Sequence, residues 1–141
     1  MKDLEIEVVG WDEAEMLVMP VRTEVFVVEQ GVPAEIERDA FDAVCRHAIA
    51  RDAGGRVVAT GRLLPDGHIG RMAVRRAARG AGVGGAVLQA LIAEAARRGL
   101  REVALAAQTH ALDFYLRHGF EAVGEVFMEA GIPHRAMRRT V

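Results

Sequence analysis

The stretch Arg79-Gly80-Ala81-Gly82-Val83-Gly84-Gly85 follows the apolar run Ile69 to Val74 and opens an amphipathic helix. A strand, a glycine turn and a helix start, in that order, make a site for a phosphate-bearing ligand. The first N–H groups of a helix have no partner within it, and the helix dipole places partial positive charge there. Glycines let a ligand approach the backbone closely and reach positive φ without steric cost. Arg79 adds a fixed cation whose several N–H donors suit phosphate oxygens. This segment sets the class of ligand.

Downstream of the loop, Val83, Val87, Leu88, Leu91, Ile92 and Ala95 form one apolar stripe over about Gly82 to Arg98. Arg97 and Arg98 suit the C-terminal dipole, and Gly99 suits the residue after the helix end. Glu102 to Ala107 reads as a buried strand, and a helical connection from the strand ending at Val74 implies a parallel pair. Thr109 is placed to cap a helix over His110 to Arg117, which His118-Gly119-Phe120 ends. Two last strands are expected near Val123 to Met128 and Ala136 to Thr140.

Upstream, Leu4 to Val9 alternates apolar and acidic residues as a half-buried strand does. Asp12 is placed to cap a helix from about Glu13, and Leu17, Val21, Val25 and Val28 recur at helical spacing. Pro20 marks a kink or a break into two short helices. Gly31-Val32-Pro33 ends that unit, and an acidic stretch runs to Asp42. Strands over Arg46 to Arg51 and Arg56 to Leu64 flank Asp52-Ala53-Gly54-Gly55, a hairpin signal, and Pro65-Asp66-Gly67 turns back into His68 to Val74. Three antiparallel strands in a row result. With no repeat and no linker, residues 1–141 read as one α/β domain.

At 51% hydrophobic and 27% charged, the chain is globular in composition rather than disordered. No apolar run approaches the ~20 residues of a membrane span, and the charged N-terminus lacks a signal-peptide pattern. The single cysteine, Cys45, excludes an intrachain disulfide and fits a reducing cytoplasm. Its apolar-leaning surroundings favour a small core residue over a nucleophile. The formal charge of −2 hides an asymmetry: residues 1–42 hold twelve acidic against three basic side chains, residues 43–141 eight against fifteen. That split fits a polyanionic ligand on the second part and a cationic acceptor drawn to the first, or two solvated surfaces that compensate each other. The acidic balance and the scarcity of aromatics argue against nucleic acid as a partner.

Three segments carry a family resemblance. Ile69-Gly70-Arg71-Met72-Ala73-Val74, the loop Arg79 to Gly84, and Phe114-Tyr115-Leu116-Arg117-His118-Gly119-Phe120 together resemble the GNAT acyltransferase superfamily. Arg22-Thr23-Glu24-Val25-Phe26-Val27-Val28-Glu29-Gln30-Gly31 and Gly131-Ile132-Pro133-His134-Arg135-Ala136-Met137 resemble its small bacterial ElaA-like branch. The resemblance implies a mixed α+β sheet whose two central parallel strands splay apart around the pantetheine arm of acetyl-CoA. It points to the backbone of Met72, Ala73 and Val74 for the pantetheine amides. The pyrophosphate is expected over Arg79, Gly80, Ala81, Gly82, Val83, Gly84 and Gly85. Gln108 stands where many relatives have asparagine, as a further contact to cofactor or substrate.

The implied reaction is N-acetyl transfer to a primary amine, by direct transfer in a ternary complex. Tyr115, the only tyrosine, is the expected acid for the departing thiolate, and otherwise a core aromatic with a hydrogen-bonded hydroxyl. Glu29 and His134 are the two candidate bases; each equally suits a structural role, as a solvated or capping carboxylate and as a strand-start residue. Asp39 and Asp42 are placed to attract a cationic acceptor. The five histidines fall in different elements without metal-ligand spacing, so no metal is expected. With no serine and with Lys2 the only lysine, the glycine loop is not a nucleotide-triphosphate loop. A small-molecule amine or a peptide amino group is the expected partner, and the class-level alternative is a non-catalytic acyl-CoA-binding sensor. Such small domains often form a homodimer, but no segment specifies an interface. The arginine-rich, lysine-poor composition fits a GC-rich bacterial source.

Overall fold

The computed structural model describes residues 4–141. Glu5–Val9 (β1) pairs antiparallel with Arg46–Arg51 (β2). Two turns then return the chain into Val57–Leu63 (β3) and Ile69–Val74 (β4), giving one antiparallel sheet in the order β1-β2-β3-β4. The first turn is fixed by Asp52, whose carboxylate accepts the N–H groups of Gly54 and Arg56 at 3.0 Å each. Helices cover both faces, Trp11–Arg22 (α1) on one and a helix following β4 on the other. Strand alternation divides β2 between them: Ile49 packs with Ala14 and Val18 of α1, while Ala48 and Ala50 join the main core. Among the described residues no helix is long and apolar enough to cross a membrane.

Pro20 does not split the first helical unit. Ala14, Val18, Val21 and Val25 form one continuous buried face, and beyond Arg22 the chain widens into π-helical turns over Thr23–Glu29. Gln30 N–H reaches the Val25 carbonyl at 3.1 Å. The lost proline N–H leaves the carbonyl of exposed Met16 to solvent, and burial of the stripe outweighs that one bond. Gly10 occupies the N-cap, so Asp12 lies in the first turn and complements the dipole instead of capping.

The acidic stretch folds inward. It forms Ala34–Glu37 (α2) and a 3-10 turn over Ala40–Val44. Arg22, only 1% exposed, donates Nε to Glu37 Oε2 at 2.6 Å and Nη1 to Asp42 Oδ1 at 2.8 Å. Arg62 of β3 donates Nη1 to Asp42 Oδ1 and to Asp39 Oδ1, both at 2.8 Å. Burial pushes the Asp42 carboxyl up, but the hydrogen bonds and charges of the two guanidiniums outweigh it and hold the group below the usual carboxylate range.

After β4, Val83–Arg97 (α3) carries the chain across to Glu102–Gln108 (β5). With Glu121–Glu129 (β6) and Ile132–Thr140 (β7), β5 builds a second antiparallel sheet in the order β5-β7-β6. The parallel pair inferred from the crossover shrinks to one bridge, His68 to Ala104, with Ala104 N–H on the Gly67 carbonyl at 3.1 Å. The splay that the resemblance implied is what the fold adopts. Thr109 caps nothing: Thr109–Ala111 is a 3-10 turn leading into Leu112–Arg117 (α4), and neither start has a side-chain cap.

A bulge on β4 shapes the site. Gly61 of β3 stands opposite both Arg71 and Met72, and Arg71 takes φ 49° to absorb the extra residue. A Cβ on Gly61 would lie 2.6 Å from Met72 Sδ and 2.9 Å from Leu91 Cδ1. Gly61→Val is therefore expected to cost about 1–3 kcal/mol, read by urea denaturation, because both α3 and the bulged strand must move. Unchanged stability would show that the bulge repacks freely.

Candidate active site

Beyond the His68–Ala104 bridge, β4 and β5 diverge, and the edges they turn toward each other have no ladder partner. A cavity of about 870 Å³ fills the gap. Met72, Ala73 and Val74 line one wall, and Leu105, Ala106 and Gln108 the other. Unpaired strand edges supply N–H donors and C=O acceptors in a row, which suits an extended chain carrying amides.

The phosphate loop stands at the far end of β4. Gly80 and Gly82 have φ values of 85° and 80°, and a Cβ built on either meets no atom within 4 Å. Gly82 is the N-cap of α3 and provides no side-chain oxygen, so the first N–H groups of the helix are left for a ligand. Gly84 packs in ordinary contact with Val74 and Phe114, whereas a Cβ on Gly85 would press on the His118 ring at 3.0 Å. Arg79 and Gly84 line the cavity. Ala81 and Val83 line a smaller pocket of about 310 Å³ instead, while Gly80 and Gly85 line neither.

Arg79 is engaged by Glu29. Its Nη1 and Nη2 donate to Glu29 Oε2 and Oε1, each at 2.7 Å, and its Nε donates to the Val74 carbonyl at 2.9 Å. The guanidinium holds the Glu29 carboxyl below its ordinary range, with Arg76 adding to the effect from 3.5 Å. The sequence placed Glu29 as a candidate base; the fold makes it the counter-ion of the phosphate-loop arginine.

A phenol and an imidazole also line the cavity. Tyr115 is 9% exposed, wedged edge-on between Phe114 and Phe120 with centroids at 5.0 and 5.8 Å. Burial alone pushes its hydroxyl up to about 12, with neither a hydrogen bond nor a charge contributing. His134 is buried, stacked on Phe127, and its Nδ1–H is assigned to the Ile132 carbonyl at 2.7 Å. That tautomer leaves the Nε2 lone pair available, with Glu129 Oε2 at 3.7 Å. Tyr115, His134 and Glu129 all line the one cavity. Gln108 donates Nε2–H to Gln30 Oε1 at 2.9 Å and accepts from His110 Nε2 at 2.6 Å. Sequence reasoning missed Gln30, His110 and Glu129, although Gln30 stood in the quoted Glu29-Gln30 pair.

Asp39 and Asp42 do not serve as free attractors for a cation. Asp42 is buried between Arg22 and Arg62, and Asp39 between Arg62 and Arg71. Cys45 is buried with its thiol pushed up to about 11, which fits the core role and removes it as a nucleophile.

The cleft combines two unpaired strand edges, a glycine loop with open helix N–H groups, and a lining that includes Tyr115 and His134. That is the arrangement of an acyl-CoA-dependent acyltransferase. The chain belongs to the GNAT acetyltransferases, since the family described as "Acetyltransferase (GNAT) domain" matches residues 11–141. It is 42% identical over 123 residues to the N-acetyltransferase YjcF of Bacillus subtilis, covering 84% of this chain and 87% of that protein. An acyl-CoA N-acyltransferase from Pseudomonas aeruginosa superposes with a TM-score of 0.86 at 37% identity, over 96% of this chain and 99% of the other. Escherichia coli ElaA gives 0.85 at 30%, again over 96% and 99%.

Because Glu29 competes for the Arg79 donors, Glu29→Gln is expected to tighten coenzyme A binding by about three- to tenfold in calorimetry at low salt. Equal affinity in the two proteins would mean that Arg79 exchanges partners without cost.

Proposed function

We propose that the protein transfers the acetyl group of acetyl-CoA directly to a primary amine, on a small molecule or a peptide, within a ternary complex. The observation that carries this reading is Tyr115: a buried phenol with no hydrogen-bond partner among the described residues, lining the same cavity as a histidine whose Nε2 has no hydrogen bond among them. The reading rests as well on the family, whose members move acyl groups from acyl-CoA.

The residues divide the work. The N–H groups at the start of α3, with Arg79 once it leaves Glu29, hold the pyrophosphate. The open edges of β4 and β5 hold the pantetheine amides. His134 Nε2 takes a proton from the acceptor ammonium, directly or through water, and Glu129 stabilises the imidazolium. The freed amine nitrogen forms a bond to the thioester carbonyl carbon, and the carbon–sulfur bond breaks. Tyr115 gives its proton to the leaving sulfur, and the second proton that the attacking nitrogen sheds as the amide forms passes through water to restore the phenol. A hydroxyl at about 12 is fully protonated at neutral pH, so Tyr115 enters the reaction with a proton to give.

Tyr115→Phe is expected to lower kcat by about 10²–10³-fold, with the Kd for coenzyme A unchanged in calorimetry. An unchanged kcat would remove the acid role. A wild-type protein that binds acetyl-CoA yet acetylates no amine would favour the second reading, a sensor that holds acyl-CoA without turnover.

A further inference from the structure

We infer that the acceptor is a primary amine carried on an apolar body and bearing no second charge; this rests on the amine-transfer reading above. Away from the facing edges of β4 and β5, Ile36, Phe41, Leu64 and Ile132 also line the cavity. Two of these are unusual. Ile36 and Phe41 are 54% and 56% exposed, although both line the cavity. Large apolar side chains left uncovered at a cavity wall gain by covering with apolar ligand surface.

The fold holds both in place. Arg71 donates Nε to the Glu37 carbonyl at 3.0 Å and Nη2 to the Ile36 carbonyl at 3.4 Å. Asp39 accepts the Phe41 N–H at 3.1 Å, and is itself clasped by Arg62 through two bonds at 2.8 and 2.9 Å. The segment presenting the apolar pair is therefore cross-linked to β3 and β4. It offers a standing wall to the acceptor.

Charge supplies the second half of the inference. The groups of that cross-link cancel, Arg22, Arg62 and Arg71 against Glu37, Asp39 and Asp42. His68, which also lines the cavity, has its Nδ1 at 3.0 Å from Asp66. The carboxylate left uncommitted at this end is Glu129, beside His134. One cation is thus provided for, at the point where the amine must lose its proton. A carboxylate on the acceptor would meet arginines already committed to Glu37, Asp39 and Asp42, and a second ammonium would find no free counter-ion among the described residues.

Three amines test this at saturating acetyl-CoA: 2-phenylethylamine, L-phenylalanine, which adds a carboxylate, and ethylamine, which lacks the ring. Initial rates are expected to give 2-phenylethylamine a kcat/KM at least about tenfold above each of the others. Phe41→Ala, at an exposed position that folding does not depend on, is expected to lower that value about fivefold and to narrow the preference over ethylamine. Equal or better use of L-phenylalanine would overturn the inference and point to Arg71 as a carboxylate contact. Equal use of ethylamine, or no effect of Phe41→Ala, would overturn it as well while leaving amine transfer intact. If acetyl-CoA binds and none of the three is acetylated, this inference is overturned, whereas the amine-transfer reading falls only if peptide amino groups and other amines are refused as well.

Discussion

Neighbouring parallel strands ordinarily zip together along their whole length, and this protein works because β4 and β5 do not. They touch through one bridge, His68 to Ala104, and then separate. Each is committed elsewhere: β4 to β3 through a bulged register, and β5 to β7 along its full length. The bulge at Arg71 and Met72 bends β4 and increases its local twist, which turns its far end away from β5. The free edges that result would be a liability on a surface. Lining a cleft, they are open donors and acceptors of the kind that suits an extended chain carrying amides.

The second constraint is the ion cluster under the acceptor side. Burying Arg22 and Arg62 with Glu37 and Asp42, beside the half-buried Arg71 and Asp39, carries a heavy desolvation cost, and the cluster is weak evidence for stability as such. Its effect is positional. It binds residues 34–44 to β3 and β4, and so builds a wall from a stretch too short in apolar residues to pack by itself. The charge asymmetry along the chain is thereby spent internally. Acidic residues of the first part and arginines of the second meet in the fold, as Glu29 with Arg79 and Asp42 with Arg62 show.

The Glu29–Arg79 contact ties the two substrate regions together. Glu29 ends the π-helical segment whose neighbour Gln30 holds Gln108, and Arg79 opens the phosphate loop. On the proposed reading, binding of a diphosphate draws on the same guanidinium. The segment bearing Glu29 and Gln30 therefore feels the state of the loop across the cleft.

Much of the site was legible because its causes are local. Positive φ at Gly80 and Gly82, the apolar stripe of α3 and the turn at Asp52-Ala53-Gly54-Gly55 each follow from a few adjacent residues. So does the order of strands that hairpins join. Pro20 was misleading because a local penalty was outweighed by a buried face that continues through it, and Thr109 because a capping residue type was not used as one. The partners of the carboxylates in the ion cluster were beyond reach: Asp42 meets Arg22 and Arg62, both 20 residues away in sequence, only after the sheet has formed. The free hydroxyl of Tyr115, the tautomer of His134 and the opening between β4 and β5 belong to the same class. Local propensity fixes φ, ψ and which face is apolar, whereas ion pairing, burial and proton position depend on distances that packing alone sets.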